Sequence, residues 1–170
     1  RAEMTMLSDT ADKEAREARM VSRYAPGSDV RVGDDASEAY LRGAPLDSFR
    51  VLHFATHALV DEEAITRTAL ALAPGRGYDG FLGPADLAAL PLNADLVVLS
   101  SCKTARGVAV RGEGVQGLTA PLLEAGGRSG VATEWRIDDA PTVRLVGAVS
   151  PALAPGAPRA QGRAAGGGRK

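Results

Sequence analysis

Two short apolar runs, each leading to a reactive side chain, constrain this chain more than any other feature. One run is Arg50–Thr56, which leads to His57, and the other is Asp95–Ser101, which leads to Cys102. Apolar, β-branched runs of this length, separated by helical patterns, are typical of parallel strands that are buried on both faces. Ligands bind at the carboxyl edge of such a sheet. The two runs therefore predict that a histidine and a cysteine meet at that edge.

The composition narrows the class of protein. The chain has 170 residues, of which 45% are hydrophobic and 24% charged, which indicates one globular domain with a sizeable core. Its net charge of −1 gives no reason to expect nucleic acid or an acidic membrane as a partner. A single cysteine excludes an internal disulfide and suits a reducing cytoplasm. No apolar run approaches the ~18 residues of a membrane span, and no leader pattern opens the chain.

Hydrophobic periodicity and turn residues divide the chain into alternating strands and helices, which is an α/β order. The pattern predicts helices over 8–24, 35–43, 83–90, 115–126 and 138–149, and strands over 29–32, 50–57, 69–73, 95–101 and 129–133. Asp35-Ala-Ser-Glu38 resembles a capping box, and Pro84 suits a first helical position. Residues 150–170 are mostly Ala, Gly and Pro, with four basic residues and one Leu. We therefore predict a folded domain over 1–149 and a disordered tail over 150–170.

The cysteine and the histidine become informative only as a pair. A single cysteine near a strand end is more often a small buried hydrophobe, and one histidine alone would also favour a structural role. Both, however, end strands of the same predicted sheet, where a thiolate and an imidazolium would form the nucleophile and the acid/base of a cysteine peptidase. The separation of His57 and Cys102 is 102 − 57 = 45 residues, near the ~50 of a caspase-type pair.

A second histidine, His53, raises the question of a metal site. On one strand His53 and His57 would share a face but lie roughly 13 Å apart, at 3.3 Å per residue. Cys102 is the only thiol, so we expect no metal site and no cofactor, and His53 is interpreted as a buried structural histidine. The segment Gly112-Glu113-Gly114 lacks the pattern of a phosphate-binding loop.

Several motifs, in order, carry a resemblance to a known family. They are His53-Phe-Ala-Thr-His57, Asp79-Gly80, Leu99-Ser-Ser-Cys102, Gly112-Glu-Gly-Val115 and Glu134-Trp-Arg-Ile-Asp-Asp139. From about Arg16 to Val149 the chain resembles the CHAT domain, a relative of caspases, separases and metacaspases. The resemblance implies a caspase-like three-layer α/β/α sandwich with a mainly parallel sheet. It also implies a setting in large bacterial proteins, often behind tetratricopeptide repeats.

The resemblance also implies roles for individual residues. His57 corresponds to the catalytic base and acid, and Cys102 to the nucleophile that forms a thioester with the substrate. The backbone N–H groups of Ala58 and Cys102 would form the oxyanion hole. By analogy with caspases, the substrate pocket would be formed by Ser100 at its floor and by Glu134, Trp135, Arg136 and Asp138 along its wall.

The chain departs from the family pattern at a few positions. Ala58 stands where the family usually has Gly, which would be costly if the position required a positive φ, and Lys103 stands where the family commonly has Glu. Members normally carry a strand before residue 1 and a further helix after the last one, so we expect a truncated member.

These observations predict a cysteine endopeptidase domain of a bacterial cytoplasmic protein, acting on protein or peptide substrates. The alternative is a catalytically inactive CHAT-like module with an interaction or regulatory role. An unrelated α/β-hydrolase is a weaker possibility, because the chain lacks the G-x-S-x-G nucleophile elbow.

Overall fold

A five-stranded parallel sheet and a smaller four-stranded sheet organise the protein in a computed structural model, which describes residues 3–7, 27–59, 68–100, 102–103 and 115–133. The strands are β1 (Glu3–Leu7), β2 (Asp29–Val32), β3 (Val51–Ala55), β4 (His57–Leu59), β5 (Ala69–Ala71), β6 (Phe81–Leu82), β7 (Leu96–Ser100), β8 (Cys102–Lys103) and β9 (Gly130–Thr133). The helices are α1 (Glu38–Gly43), α2 (Pro84–Ala88) and α3 (Thr119–Glu124), with 3₁₀ turns at Gly33–Asp35, Leu46–Ser48 and Val115–Leu118.

The larger sheet has the strand order β2-β1-β3-β7-β9, and every neighbouring pair is parallel. All five residues of β3 are buried, as are the first four of β7. Continuous burial explains why these strands have apolar runs rather than an alternating pattern. This mixed α/β architecture with a mainly parallel sheet confirms the caspase-like fold class.

One face of the larger sheet packs on the three helices of the described ranges. The shared core joins Met4, Met6, Leu52, Phe54, Val97 and Leu99 of the strands to Leu41 of α1, Leu87 of α2 and Leu122 of α3. The opposite face is buried as well, because Glu3, Thr5, Val51, His53 and Val98 are each at most 6% exposed. The helices predicted over 8–24 and 138–149, and the tail predicted over 150–170, lie outside the described residues.

The two central strands are interrupted at the same level. β3 ends at Ala55 and the chain resumes as β4 at His57, while β7 ends at Ser100 and resumes as β8 at Cys102. The second sheet has the order β6-β5-β4-β8, with β4 parallel to β8 and antiparallel to β5. The single predicted strand that carried both histidines is therefore wrong: His53 and His57 belong to strands of different sheets, because the chain leaves the first ladder at Thr56.

The sequence analysis also missed two strands and placed one helix cap wrongly. The strand Glu3–Leu7 was not predicted, because Glu and Met are weak strand formers and its position between β2 and β3 decides its structure. The strand Phe81–Leu82 was also missed. The predicted capping box is wrong: the helix cap is Ser37, whose Oγ accepts the Tyr40 N–H at 3.2 Å. The strand over 29–32 is confirmed, as are the end of α1 at Gly43 and Pro84 at the start of α2.

Candidate active site

His57 and Cys102 are register partners on the adjacent parallel strands β4 and β8. The same offset holds in the larger sheet, where Phe54 pairs with Leu99 (99 − 54 = 45), and His57 pairs with Cys102 (102 − 57 = 45). The break between β3 and β4 and the break between β7 and β8 therefore preserve the register. Because neighbouring strands lie ~4.8 Å apart, the two backbones are adjacent at the carboxyl edge that the sequence predicted.

The amino-terminal ends of β3 and β7, the strands that precede β4 and β8, are joined by ionic and backbone contacts. Arg50 Nε donates to Asp95 Oδ2 at 2.7 Å, and the carbonyl of Arg50 accepts the Asp95 N–H at 2.7 Å and the Leu96 N–H at 3.2 Å. Arg128, just before β9, donates to the other oxygen of Asp95 at 3.0 Å. These contacts hold three strand starts at one level. Residues of paired parallel strands advance by the same distance per residue. The contacts at the strand starts therefore help to bring His57 opposite Cys102.

Burial alternates along β4, as expected for a strand with one covered face. His57 is half-buried, Ala58 is fully buried and Leu59 is 42% exposed. Ala58 does not have a positive φ, so its Cβ carries no conformational cost there, and replacing the usual Gly is compatible with this backbone. The oxyanion hole formed by the N–H groups of Ala58 and Cys102 stays a prediction.

His53 is buried in the larger sheet, as expected of a structural histidine. It is 1% exposed, its register partners are Thr5 and Val98, and neither ring nitrogen has a hydrogen-bond partner in the part of the chain that the structure describes. Burial lowers the pKa of His53 to about 4, because a charged imidazolium loses its hydration there. His53 is therefore neutral at neutral pH.

The predicted substrate pocket is defined only at its edge. Ser100, the predicted floor, ends β7 and pairs with Thr133, the last residue of β9. The predicted wall begins at the next residue, but Glu134, Trp135, Arg136 and Asp138 all lie outside the described residues. Their roles stay predictions, and the register shows only that Thr133, which precedes this segment in the chain, pairs with Ser100.

The Asp79-Gly80 motif has a structural explanation that the sequence did not reveal. Gly80 has a φ of +87°, and a Cβ there would lie 2.5 Å from the carbonyl oxygen of Leu72. The N–H of Gly80 donates to Oε2 of buried Glu38 at 3.1 Å, and Asp79 Oδ1 accepts the Phe81 N–H at 2.9 Å. Only glycine fits this backbone conformation. The turn that Gly80 allows leads directly into β6.

Glu38 connects this turn to two helices. Its Oε1 accepts from Arg42 Nε at 2.8 Å within α1, and Arg42 also donates to Asp86 of α2 at 2.8 Å. A buried carboxylate is tolerated when charged and neutral donors satisfy it. Glu38 was not predicted as important, and its only sequence signal was its place in the misassigned capping box.

A cavity of about 300 Å³ lies away from the dyad, beside the start of α1. Arg31, Asp34, Asp35, Tyr40 and Arg76 contribute to its lining, which contains none of the predicted site residues. Within the described ranges, no cluster of three or more His, Cys, Asp or Glu residues could hold a metal ion. Nor does any helix in those ranges have the length and apolar character needed to cross a membrane.

Comparison with known proteins gives one family match. The model of the CHAT domain family matches residues 2–164, which is nearly the whole chain. No curated protein matches this sequence significantly.

Proposed function

This chain belongs to the CHAT domain family, and from that premise we propose that it is a cysteine endopeptidase domain with His57 and Cys102 as its catalytic dyad. The family is related to caspase-like peptidases. The observation that carries the proposal is the register pairing of His57 with Cys102 at the carboxyl edge of a buried parallel sheet.

The proposed reaction uses two steps and no cofactor. The Cys102 thiolate attacks the carbonyl carbon of the scissile peptide bond, and the protonated His57 gives its proton to the departing amine as the thioester forms. His57 then takes a proton from water as the water oxygen attacks the thioester and the C–S bond breaks. This step releases the new carboxylic acid, which loses its proton to solvent, and restores the Cys102 thiolate beside protonated His57. Dividing the hydrolysis in this way replaces one difficult displacement by two easier ones.

Charge developing on the carbonyl oxygen requires donors that are already in place. We assign this role to the backbone N–H groups of Ala58 and Cys102, as the family resemblance implies. Losing one such donor costs about 10²–10³ in rate. The strands that precede the dyad, β3 and β7, are almost entirely buried. Their burial favours fixed positions for the backbone donors that follow them.

The proposal extends to the setting of the reaction. The substrate is a protein or peptide, with Ser100 and the segment of Glu134, Trp135, Arg136 and Asp138 forming the pocket beside the scissile bond. The lone cysteine suits a bacterial cytoplasm, and tetratricopeptide repeats of a larger protein are the proposed regulatory neighbours.

Cleavage of a peptide library derived from a bacterial proteome tests the activity. The expected result is a set of new amino termini that appears with the wild-type protein and disappears with Cys102→Ala and with His57→Ala. New termini that persist in Cys102→Ala would contradict the proposal. A folded protein that cleaves nothing but retains a specific partner would favour the alternative, a catalytically inactive interaction or regulatory module.

A further inference from the structure

The second sheet has one buried face and one outer face. On the buried face, Ala58, Leu70 and Leu82 are all 0% exposed and belong to the main core. The residues that alternate with them form the outer face: His57 and Leu59 on β4, Ala69 and Ala71 on β5, and Phe81 on β6. Leu59 is 42% and Phe81 47% exposed. Two large apolar side chains thus lie on the face that carries the proposed catalytic histidine.

One row of register partners crosses the whole sheet. Cys102 pairs with His57, His57 with Ala71, and Ala71 with Phe81. Phe81 therefore lies two strands from His57, a distance of ~9.5 Å between strand axes. The residue between them is alanine, whose short side chain separates Phe81 on one side from His57 and Leu59 on the other.

This part of the outer face is apolar. It consists of Leu59, Ala69, Ala71 and Phe81, and none of these residues carries a charge. An apolar side chain that docks there gains by removing its own surface and that of Phe81 from water.

Phe81 is held in a fixed backbone position. The Gly80 carbonyl accepts the Leu72 N–H at 2.8 Å, the Gly80 N–H donates to buried Glu38, and Asp79 accepts the Phe81 N–H. An exposed aromatic side chain on a restrained turn loses little backbone entropy when a ligand binds. This restraint distinguishes Phe81 from an apolar residue that is exposed on a loose loop.

We propose that Phe81, with Leu59 and Ala71, forms a subsite for an apolar side chain of the polypeptide substrate close to the scissile bond. The inference rests on the proposed function, since the dyad defines where the scissile bond lies. The subsite would make Phe81 a specificity-determining residue. In the strand order β6-β5-β4-β8, Phe81 and Cys102 lie on opposite sides of His57. The subsite is separate from the pocket predicted beside Ser100.

Two alkylating probes that react with the same thiol separate the subsite from the dyad. Iodoacetamide is small and reports only the reactivity of Cys102. In an N-blocked Leu-Gly chloromethyl ketone, Gly takes the position proposed for the pocket beside Ser100, and Leu presents an apolar side chain one residue away. The Cys102 thiolate displaces chloride from this probe. For each variant we measure the second-order rate constant of each probe. The quantity compared is the rate constant for the chloromethyl ketone divided by that for iodoacetamide.

For Phe81→Ser the ratio is expected to fall roughly tenfold, the scale on which apolar pockets discriminate, with the iodoacetamide rate unchanged. Phe81→Leu should retain the ratio, because it keeps an apolar side chain. Leu123→Ser is the matched control, since Leu123 is 42% exposed, close to the 47% of Phe81, but lies on α3. Circular dichroism establishes that each variant is folded.

An unchanged ratio in folded Phe81→Ser, with His57-dependent iodoacetamide reactivity, would overturn the subsite alone. If reactivity did not depend on His57, the dyad would be overturned and the subsite with it. A second copy of the chain could instead cover the outer face of the second sheet. Analytical ultracentrifugation of the wild-type protein tests this by measuring whether it is a monomer or a dimer. A dimer that Phe81→Ser converts to a monomer would assign the outer face to self-association and overturn the inference.

Discussion

Arg50 and Asp95 bind each other at 2.7 Å at the starts of β3 and β7, the two strands that lead to His57 and Cys102. Both side chains are mostly buried, at 23% and 20% exposure, and Asp95 also accepts from Arg128. One carboxylate thus links the starts of three neighbouring strands at the edge opposite the proposed site.

Removing that carboxylate is expected to destabilise the protein more than removing its exposed partner. Asp95→Ala leaves the Arg50 guanidinium half-buried without its acceptor, at a cost of about 1–3 kcal/mol in the free energy of unfolding. Arg128 is 67% exposed, and Arg128→Ala should cost less than about 0.5 kcal/mol. Urea denaturation of both variants measures the difference, and equal effects would show that the Asp95 contacts do not anchor the strands.

Gly80 is expected to tolerate no side chain. Gly80→Ala combines a left-handed φ with a Cβ that would lie 2.5 Å from the Leu72 carbonyl oxygen, so it should cost about 2–4 kcal/mol. Gly77 is the matched control, because its φ is +88° but no atom lies within 4 Å of its Cβ position. Gly77→Ala should cost only about 1 kcal/mol. Similar midpoints of thermal unfolding would contradict the close approach at Gly80.

Glu3 predicts a loss of stability as the pH rises. Burial raises the pKa of Glu3 from 4.5 to about 7, so the folded state favours the protonated carboxyl. The resulting stabilisation is complete below pH 4.5 and is lost as the pH rises through about 7. It amounts to at most about 3 kcal/mol. Glu3→Gln should flatten this part of the stability–pH profile, and a variant profile parallel to the wild type would contradict the assignment.

The burial of His53 predicts that stability falls as the pH decreases, which is the opposite of the dependence predicted for Glu3. Because burial lowers its pKa from 6.5 to about 4, its contribution is complete above pH 6.5 and is lost as the pH falls through about 4. His53→Leu should remove this acid sensitivity. It should also leave stability at pH 7 unchanged or raise it by about 1 kcal/mol, since it removes two buried nitrogens that have no hydrogen-bond partner among the described residues. Urea titrations at pH 4.5 and pH 7 test both statements.

The same variant separates the two histidines of the His53-Phe-Ala-Thr-His57 motif. A structural His53 predicts that His53→Leu keeps the rate of Cys102 alkylation, whereas His57→Ala changes it. A loss of thiol reactivity in folded His53→Leu would show that His53 also takes part in the site.

Much of the central architecture could be predicted from the sequence because it depends on local patterns. The apolar runs that precede His57 and Cys102 identify β3 and β7, and parallel strands necessarily bring their carboxyl ends to one edge. The offset of 45 residues between the two runs is the register offset of the strands themselves. Sequence spacing and sheet register therefore carry the same information here.

The missed features depend on long-range contacts that no local pattern encodes. Glu3–Leu7 is a strand because β2 and β3 pair with it on either side. Glu38 matters because its carboxylate accepts from Gly80, 42 residues away. Phe81 gained significance only through the register that places it in one row with His57.

The pH dependence of Cys102 alkylation by iodoacetamide, between pH 5 and 9, tests the central claim most directly. In the wild-type protein we predict that reactivity rises with a midpoint well below the ~8.5 of an ordinary thiol, because the neighbouring imidazolium stabilises the thiolate. In His57→Ala the midpoint should return close to that ordinary value. The same midpoint in both folded proteins would contradict the dyad, and with it the endopeptidase function proposed for this chain.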